Sequence, residues 1–168
     1  MDEDRDNRVD WTRELPRFVV SLLAPLVAGG IGATATVESV RTWYPTLRKP
    51  DFNPPNWIFG PVWSTLYLLM GIANFLVSRQ ADGGTALRQA RLWYRLQLVL
   101  NTLWSILFFG RRSPLAALVG IVFLWIAIVL TILAFARVSR RAALLLVPYL
   151  LWVSFAAVLN GAIWCLNR

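Results

Sequence analysis

Residues 43–73 read WYPTLRKPDFNPPNWIFGPVWSTLYLLMGIA and join a proline-rich loop to an apolar helix. The loop contains Pro45, Pro50, Pro54 and Pro55. Each proline fixes its own φ angle and restricts the residue before it, so no helix of useful length is predicted between Trp43 and Asn56. Because the same restrictions reduce the number of loop conformations, we expect a preorganised lid over a site.

The composition around this segment is that of a membrane protein. Of 168 residues, 57% are hydrophobic and 15% are charged, whereas a soluble domain carries about 25% charged residues. The chain has no histidine and one cysteine, Cys165, so neither a metal site nor an internal disulfide is predicted. The net charge is +8, but the arginines flank apolar runs instead of sharing one face. Nucleic acid is therefore not expected as a partner.

Five apolar segments are long enough to cross a bilayer, which takes about 20 apolar residues per helix. They are residues 18–37, 57–78, 92–109, 115–136 and 142–166. The predicted fold class is an all-α membrane protein, a bundle of five transmembrane helices with the proline-rich loop between the first two. Residues 1–17 are interpreted as a polar tail and residues 18–168 as the membrane domain. The short gaps after the third and fourth segments predict antiparallel neighbours.

Charge predicts how the bundle lies in the membrane. Five spans put the two termini on opposite sides, and eleven of the 17 Lys and Arg residues fall on the N-terminal side. The positive-inside rule then predicts a multi-pass integral membrane protein with a cytoplasmic N-terminus and an external loop. A bacterial membrane is the expected location.

The third segment carries a polar stripe. Gln97, Asn101 and Ser105 follow one another at four-residue spacing, so they share one helix face that must point into the bundle. Two interpretations stay open for this stripe. It either supplies hydrogen bonds between helices or forms the polar floor of a ligand cavity.

Aromatic side chains lie deep in two other segments. Trp63 stands one turn before Tyr67 in the second segment, and Trp152 stands one turn before Ala156 in the fifth. Interfacial aromatic belts occur near helix ends, and these two tryptophans lie too deep in their segments to belong to one. We therefore expect Trp63 and Trp152 to pack inside the bundle or to line a pocket.

Small residues dominate the first segment, among them Gly29, Gly30 and Gly32. Small side chains let helix backbones approach closely in membranes. This close approach is expected inside the bundle, with a dimer interface as the alternative.

Catalytic groups are scarce. Six of the nine acidic residues lie within the first 17 residues, and no phosphate-cradling glycine loop or metal-ligand cluster occurs. No nucleophile–base pair is evident, so hydrolytic or phosphoryl-transfer chemistry is not predicted and no catalytic residue is assigned.

Five motifs occur along the membrane domain: WYPTLRKP (43–50), PPNWIFGPVW (54–63), LYLLMG (66–71), LNTLWSILFFG (100–110) and VPYLLW (147–152). In this order and spacing they resemble the TspO/MBR family of bacterial tryptophan-rich sensory proteins and mitochondrial translocator proteins (peripheral-type benzodiazepine receptors). The resemblance implies a five-helix bundle, commonly a homodimer, with a ligand cavity closed by the first loop. It also implies porphyrins such as protoporphyrin IX, and isoquinoline- or benzodiazepine-type compounds, as ligands. No cofactor is implied.

Matched motif by motif, the resemblance implies eight ligand-binding residues. They are Tyr44 and Pro54 from the loop, Trp63 and Tyr67 from the second helix, Asn101 and Trp104 from the third, and Trp152 and Ala156 from the fifth. Ligands would stack on Trp63 and Trp152 and accept or donate hydrogen bonds at Asn101 and Tyr44.

The expected function is that of a membrane receptor or carrier for porphyrins and similar flat apolar ligands, with a sensory or transport role. One alternative is a light- and oxygen-dependent porphyrin-degrading enzyme that uses Trp63 and Trp152. Another is a structural or signalling membrane protein without a dedicated ligand. Gly161 stands where mitochondrial relatives carry the tyrosine of a cholesterol-recognition pattern, so steroid binding through that pattern is not expected.

Overall fold

The computed structural model describes residues 11–80 and 84–168, and every regular element in these ranges is helical. The six helices are α1 (Trp11–Thr42), α2 (Asn56–Ser78), α3 (Thr85–Ser105), α4 (Pro114–Ala136), α5 (Arg140–Leu145) and α6 (Val147–Leu166). A single 3-10 turn, Tyr44–Thr46, is the one regular element of the proline-rich loop among these residues. The predicted all-α fold class is confirmed.

Helix α1 extends beyond the predicted first span. The sequence interpretation began that span at residue 18, after a polar tail of residues 1–17, whereas the structure is helical from Trp11, its first described residue, onward. Residues 1–10 lie outside the described residues. An ion pair accounts for the extension, because the Glu14 carboxylate lies 3.1 Å from Arg79 Nε at the end of α2 and 3.6 Å from an Arg17 nitrogen. These contacts hold the polar first turns of α1 against the neighbouring helix.

The helices form five rods, since α5 and α6 run end to end. Their contacts follow a closed order: α1 packs on α2, α2 on α5, α5 and α6 on α4, α4 on α3, and α3 on α1. The predicted antiparallel neighbours α3–α4 and α4–α6 are both in contact. A closed bundle of this kind satisfies backbone hydrogen bonds within each helix, as lipid requires.

Four of the five rods have the length and composition of membrane spans: Glu14–Thr42, Asn56–Ser78, Pro114–Ala136 and Arg140–Leu166. Helix α3 falls short because Arg88, Arg91 and Arg95 occupy its first half. Its apolar part continues past Ser105 through a π-helical turn, Ile106–Gly110. In this turn the Arg111 N–H donates to the Ile106 carbonyl at 2.7 Å.

The helix of the fifth rod is interrupted at Leu146, between α5 and α6. Pro148 explains the break, because it lacks an N–H and its ring excludes the carbonyl four residues before it. The span predicted over residues 142–166 is therefore present as one rod, Arg140–Leu166, made of two helices.

Close packing of α1 depends on glycine. A Cβ built on Gly71 would lie 3.0 Å from the Leu22 Cα atom, so α1 and α2 meet backbone to backbone. A Cβ on Gly32 would lie 3.1 Å from the Ser105 hydroxyl oxygen of α3. Gly29 and Gly32 therefore contact neighbouring helices inside the bundle, whereas Gly30 is exposed on its outer face.

Candidate functional site: an aromatic cavity at the loop end of the bundle

A cavity of about 300 Å³ lies between α1, α2, the end of α3 and α6. It is at the end of the bundle that carries the proline-rich loop, and it is partly open. Its lining residues are Gly29, Gly32, Ala33, Thr36, Val37, Val40, Tyr44, Asn56, Phe59, Gly60, Trp63, Tyr67, Trp104, Ser105, Phe109, Trp152 and Ala156.

Aromatic rings from three helices build most of the wall. Trp63 and Tyr67 of α2 lie 5.4 Å apart between ring centroids, and Phe59 of the same helix meets Trp152 of α6 edge to face at 5.8 Å. Trp104 and Phe109 enclose the α3 side, with 6.2 Å between their centroids. Such offset and edge-to-face pairs hold the rings in fixed positions.

Helix α1 supplies a wall of a different kind. Gly29, Gly32 and Ala33 carry little or no side chain, and Thr36 and Val40 continue the same face toward the loop. The Thr36 hydroxyl donates to the Gly32 carbonyl at 2.7 Å, so this wall presents little free polarity. A Cβ on Gly29 would lie 2.7 Å from Tyr67 Cζ. The small residues thus leave room for the cavity and for the Tyr67 ring in its observed position.

A hydrogen-bonded chain of three side chains lies at the inner end of the cavity. The Tyr67 hydroxyl donates to Asn101 Oδ1 at 3.2 Å, and Asn101 Nδ2 donates to the Tyr149 hydroxyl at 3.0 Å. Asn101 is 1% exposed and is not among the cavity lining residues. The predicted polar stripe therefore divides: Asn101 joins three helices, Ser105 lines the cavity, and Gln97 has neither role.

The indole N–H groups of the cavity differ in their hydrogen bonding. Trp104 Nε1 donates to Asn160 Oδ1 at 3.2 Å, and Asn160 Nδ2 donates to the Pro114 carbonyl at 2.8 Å. Within the described ranges, no protein acceptor pairs with the indole N–H of Trp63 or Trp152. These two donors are available to a molecule in the cavity.

Tyr44 is the loop residue closest to the interior, at 5% exposure. Its hydroxyl donates to Asn53 Oδ1 at 2.7 Å, and the Lys49 ammonium lies 4.9 Å from its ring centroid. Burial raises the pKa of the Tyr44 phenol, and the hydrogen bond to Asn53 lowers it by less. Tyr44 is therefore a neutral hydroxyl at physiological pH, already engaged with the loop.

The far side of the loop is attached to the end of α6. The Arg48 N–H donates to Asn167 Oδ1 at 2.9 Å, and Asn167 Nδ2 donates to the Arg48 carbonyl at 2.8 Å. Phe52 also meets Phe155 of α6 edge to face at 6.4 Å. We call the two hydrogen bonds between Arg48 and Asn167 the loop latch.

Comparison with known proteins agrees with these features. A sequence profile of the TspO/MBR family matches residues 21–165, a range that includes every residue lining the cavity. The chain belongs to the TspO/MBR family. This membership supports a role as a membrane receptor or transporter.

Relatives within the TspO/MBR family come from distant organisms. The tryptophan-rich protein TspO of Chlorobaculum tepidum is 51% identical over 142 residues, 84% of this chain and 90% of the relative. The translocator protein of Homo sapiens is 39% identical over 143 residues, 84% of this chain and 85% of the relative. The tryptophan-rich sensory protein of Cereibacter sphaeroides is 37% identical over 159 residues, 95% and 94% of the two chains.

Six of the eight residues that the TspO/MBR resemblance assigned to ligand binding line the cavity: Tyr44, Trp63, Tyr67, Trp104, Trp152 and Ala156. Pro54 does not line it, and the loop residues before it contact α6 through the latch and the Phe52–Phe155 pair. Asn101 does not line it either, because it lies behind Tyr67. The binding role of all eight stays a prediction.

Sequence reasoning missed most of the α1 wall of this TspO/MBR cavity. Gly29, Gly32, Thr36 and Val40 recur at helical spacing, but the sequence interpretation considered only the small residues, as sites of close helix packing with a dimer interface as the alternative. Phe109 was also missed, although it continues the stripe of Ser105 by one further step of four residues. A face of small residues next to a single threonine is the pattern that predicts a wall.

Proposed function

We propose that this protein is a membrane receptor or carrier that binds porphyrins and related flat apolar ligands in the aromatic cavity. The single observation that carries the proposal is the wall of Trp63, Trp152, Tyr67 and Phe59 facing a small-residue face of α1. Aromatic walls with a few placed polar groups are what an apolar ligand site needs.

The size of the cavity bears on how such a ligand would fit. Its volume of about 300 Å³ is at the lower end of the range for small-molecule sites, about 300–1,000 Å³. A flat ring system would occupy it with one edge and extend through the open side. The loop, which is attached through the latch, would then close over the remainder.

The polar groups available to the ligand differ from those expected at first. Asn101 is engaged by Tyr67 and Tyr149, and the Tyr44 hydroxyl donates to Asn53. Among the described residues, the cavity donors without a protein partner are the indole N–H groups of Trp63 and Trp152 and the side-chain amide of the exposed Asn56, and only the two indoles belong to the aromatic wall. We therefore assign ligand hydrogen bonding to these two tryptophans in addition to stacking.

The test is an equilibrium titration of the purified full-length protein with protoporphyrin IX in the dark, followed by porphyrin absorbance. Trp63→Leu and Trp152→Leu are each expected to weaken binding at least about tenfold, since aromatic contacts and a donor are lost together. Trp125→Leu is the matched control, because Trp125 lies on α4 away from the cavity and donates to Ser154 at 2.8 Å. Equal affinity in all four proteins would contradict the proposal.

A further inference from the structure

A second cavity lies at the opposite end of the bundle and has a different chemistry. It is a groove of about 490 Å³ between the first turns of α1, the end of α2 and the start of α3. Arg17 lines it from α1, and Arg91 and Arg95 line it from α3. Among the residues that the structure describes, no acidic side chain lines the groove. We call it the basic groove.

The described residues neutralise the positive charge of the basic groove only in part. Among them, Glu14 is the nearby carboxylate, and it lies closer to Arg79 (3.1 Å) than to Arg17 (3.6 Å). Within the described part of the chain, Arg91 and Arg95 make no hydrogen bond or ion pair. They stand one turn apart on α3, where two like charges repel each other unless an anion lies between them.

Polar side chains without partners lie deeper in the same groove. Ser21 is 3% exposed and lines the groove, and its hydroxyl makes no hydrogen bond to another described residue. The half-buried Asn74 amide of α2 also lines it and is likewise unpaired within the described ranges. A hydroxyl and an amide without a described protein partner, beside unpaired guanidinium groups, are donors that a ligand with acceptor oxygens would engage.

The remaining wall of the groove is apolar. Val20 and Ala24 of α1 and Leu98 of α3 line it beyond the arginines, and the exposed face of α1 continues with Leu23 and Val27. A ligand that pairs with the arginines and also covers the apolar wall carries an anionic head and an apolar chain. A free phosphate or a soluble phosphate ester would leave the apolar wall without a contact.

We propose that the basic groove binds an anionic phospholipid, with its phosphate held by Arg17, Arg91 and Arg95 and an acyl chain along Val20, Ala24 and Leu98. Ser21 and Asn74 donate to the phosphate or glycerol oxygens. This site is separate from the aromatic cavity, which is lined at the other end of α1 and α2.

The experiment measures retention of phosphatidylglycerol and of phosphatidylcholine by full-length protein in detergent, using native mass spectrometry over a lipid titration. Arg91→Gln/Arg95→Gln is expected to lower phosphatidylglycerol affinity at least about tenfold, since each basic residue near a membrane surface contributes to attraction of anionic lipid. The matched control is Arg140→Gln/Arg141→Gln, which removes two exposed charges from the same side of the bundle but outside the groove. Its affinity is expected to equal that of the wild type, and phosphatidylcholine is expected to bind all three proteins weakly and alike.

Equal phosphatidylglycerol affinity in all three proteins would overturn the proposal. Glycerol phosphate that competes at the same concentration as the lipid would overturn the lipid assignment in favour of a soluble phosphate ester. Arg91→Lys/Arg95→Lys restores charge without the guanidinium geometry and is expected to recover part of the affinity. The thermal unfolding midpoint of each variant shows whether a loss of binding reflects unfolding. If Arg91→Gln/Arg95→Gln is unfolded, the affinity of Arg91→Lys/Arg95→Lys is compared with that of the wild type instead.

Discussion

Asn101 connects three helices in the interior of the bundle. Its amide accepts from Tyr67 of α2 and donates to Tyr149 of α6, and Tyr149 is 1% exposed. In lipid, a hydroxyl that loses its partner finds no water to replace it. The sequence identified Asn101 as inward-facing, but periodicity cannot distinguish a side chain that reaches a cavity from one that lies a layer behind it.

Replacing Asn101 by leucine is expected to lower the free energy of unfolding by about 1–2 kcal/mol, because the hydroxyls of the buried Tyr149 and the partly buried Tyr67 lose their partner. Thermal unfolding in detergent, followed by far-UV circular dichroism, measures the change.

Gln97 is the matched control for this substitution, one turn earlier on the same helix. It is 1% exposed, and neither atom of its amide makes a hydrogen bond to a described residue. Gln97→Leu is therefore expected to leave the unfolding midpoint unchanged or to raise it. A larger loss for Gln97→Leu than for Asn101→Leu would contradict this assignment.

Gly29 controls the cavity wall through the Tyr67 ring. The Tyr67 ring fills the space that a side chain at Gly29 would need, since an added Cβ would overlap two ring carbons. Gly29→Ala is expected to destabilise the protein by about 1–3 kcal/mol through overpacking and to weaken protoporphyrin IX binding. Thermal unfolding and the porphyrin titration measure the two effects.

Gly30 offers a close control, because nothing lies within 4 Å of a Cβ built there. Gly30→Ala is expected to retain wild-type binding and to be as stable or slightly more stable, since alanine favours the helix. If both variants behave alike, the glycine wall is not what positions Tyr67.

At the scale of elements, apolar run length predicted which segments are helical, because bilayer thickness sets that length. It did not predict that residues 11–17 are helical, a segment in which Glu14 pairs with Arg79, a residue far away in the chain. The π-helical turn at Ile106–Gly110 was not predicted either. There the Ser39 hydroxyl donates to the Phe109 carbonyl at 2.6 Å, another contact between distant segments. Local patterns cannot report such contacts.

The loop latch is an element whose role can be isolated. Asn167→Ala removes both hydrogen bonds to the Arg48 backbone, which at an exposed position contribute about 1 kcal/mol together, or about fivefold in a rate. We expect protoporphyrin IX to dissociate about fivefold faster from this variant, as measured by transfer to an excess of acceptor protein.

Arg168→Ala tests whether the effect is specific to the latch. Arg168 is the neighbouring residue, and its guanidinium lies 5.7 Å from the Trp164 ring centroid without contacting the loop. The dissociation rate of protoporphyrin IX from Arg168→Ala is expected to match that from the wild type. A rate for Asn167→Ala that also equals the wild type would mean that the loop does not control release.

At the scale of the whole molecule, the five rods enclose sites of opposite character at their two ends. The aromatic cavity lies at the loop end, and the basic groove lies at the end that carries the N-terminus of α1. A cytoplasmic N-terminus would place the groove at the inner leaflet, which stays a prediction from charge distribution. Homodimer formation likewise stays a prediction from the family resemblance.

The central claim is that porphyrin binds inside the aromatic cavity, and filling that cavity tests it most directly. Ala156 lines the cavity on α6, whereas Val158 of the same helix is 63% exposed on its outer face. Protoporphyrin IX affinity, measured in the dark for wild type, Ala156→Phe and Val158→Phe, is expected to fall at least about tenfold only for Ala156→Phe. Equal affinity in all three proteins would mean that porphyrin partitions into the detergent or binds elsewhere, and would contradict the account.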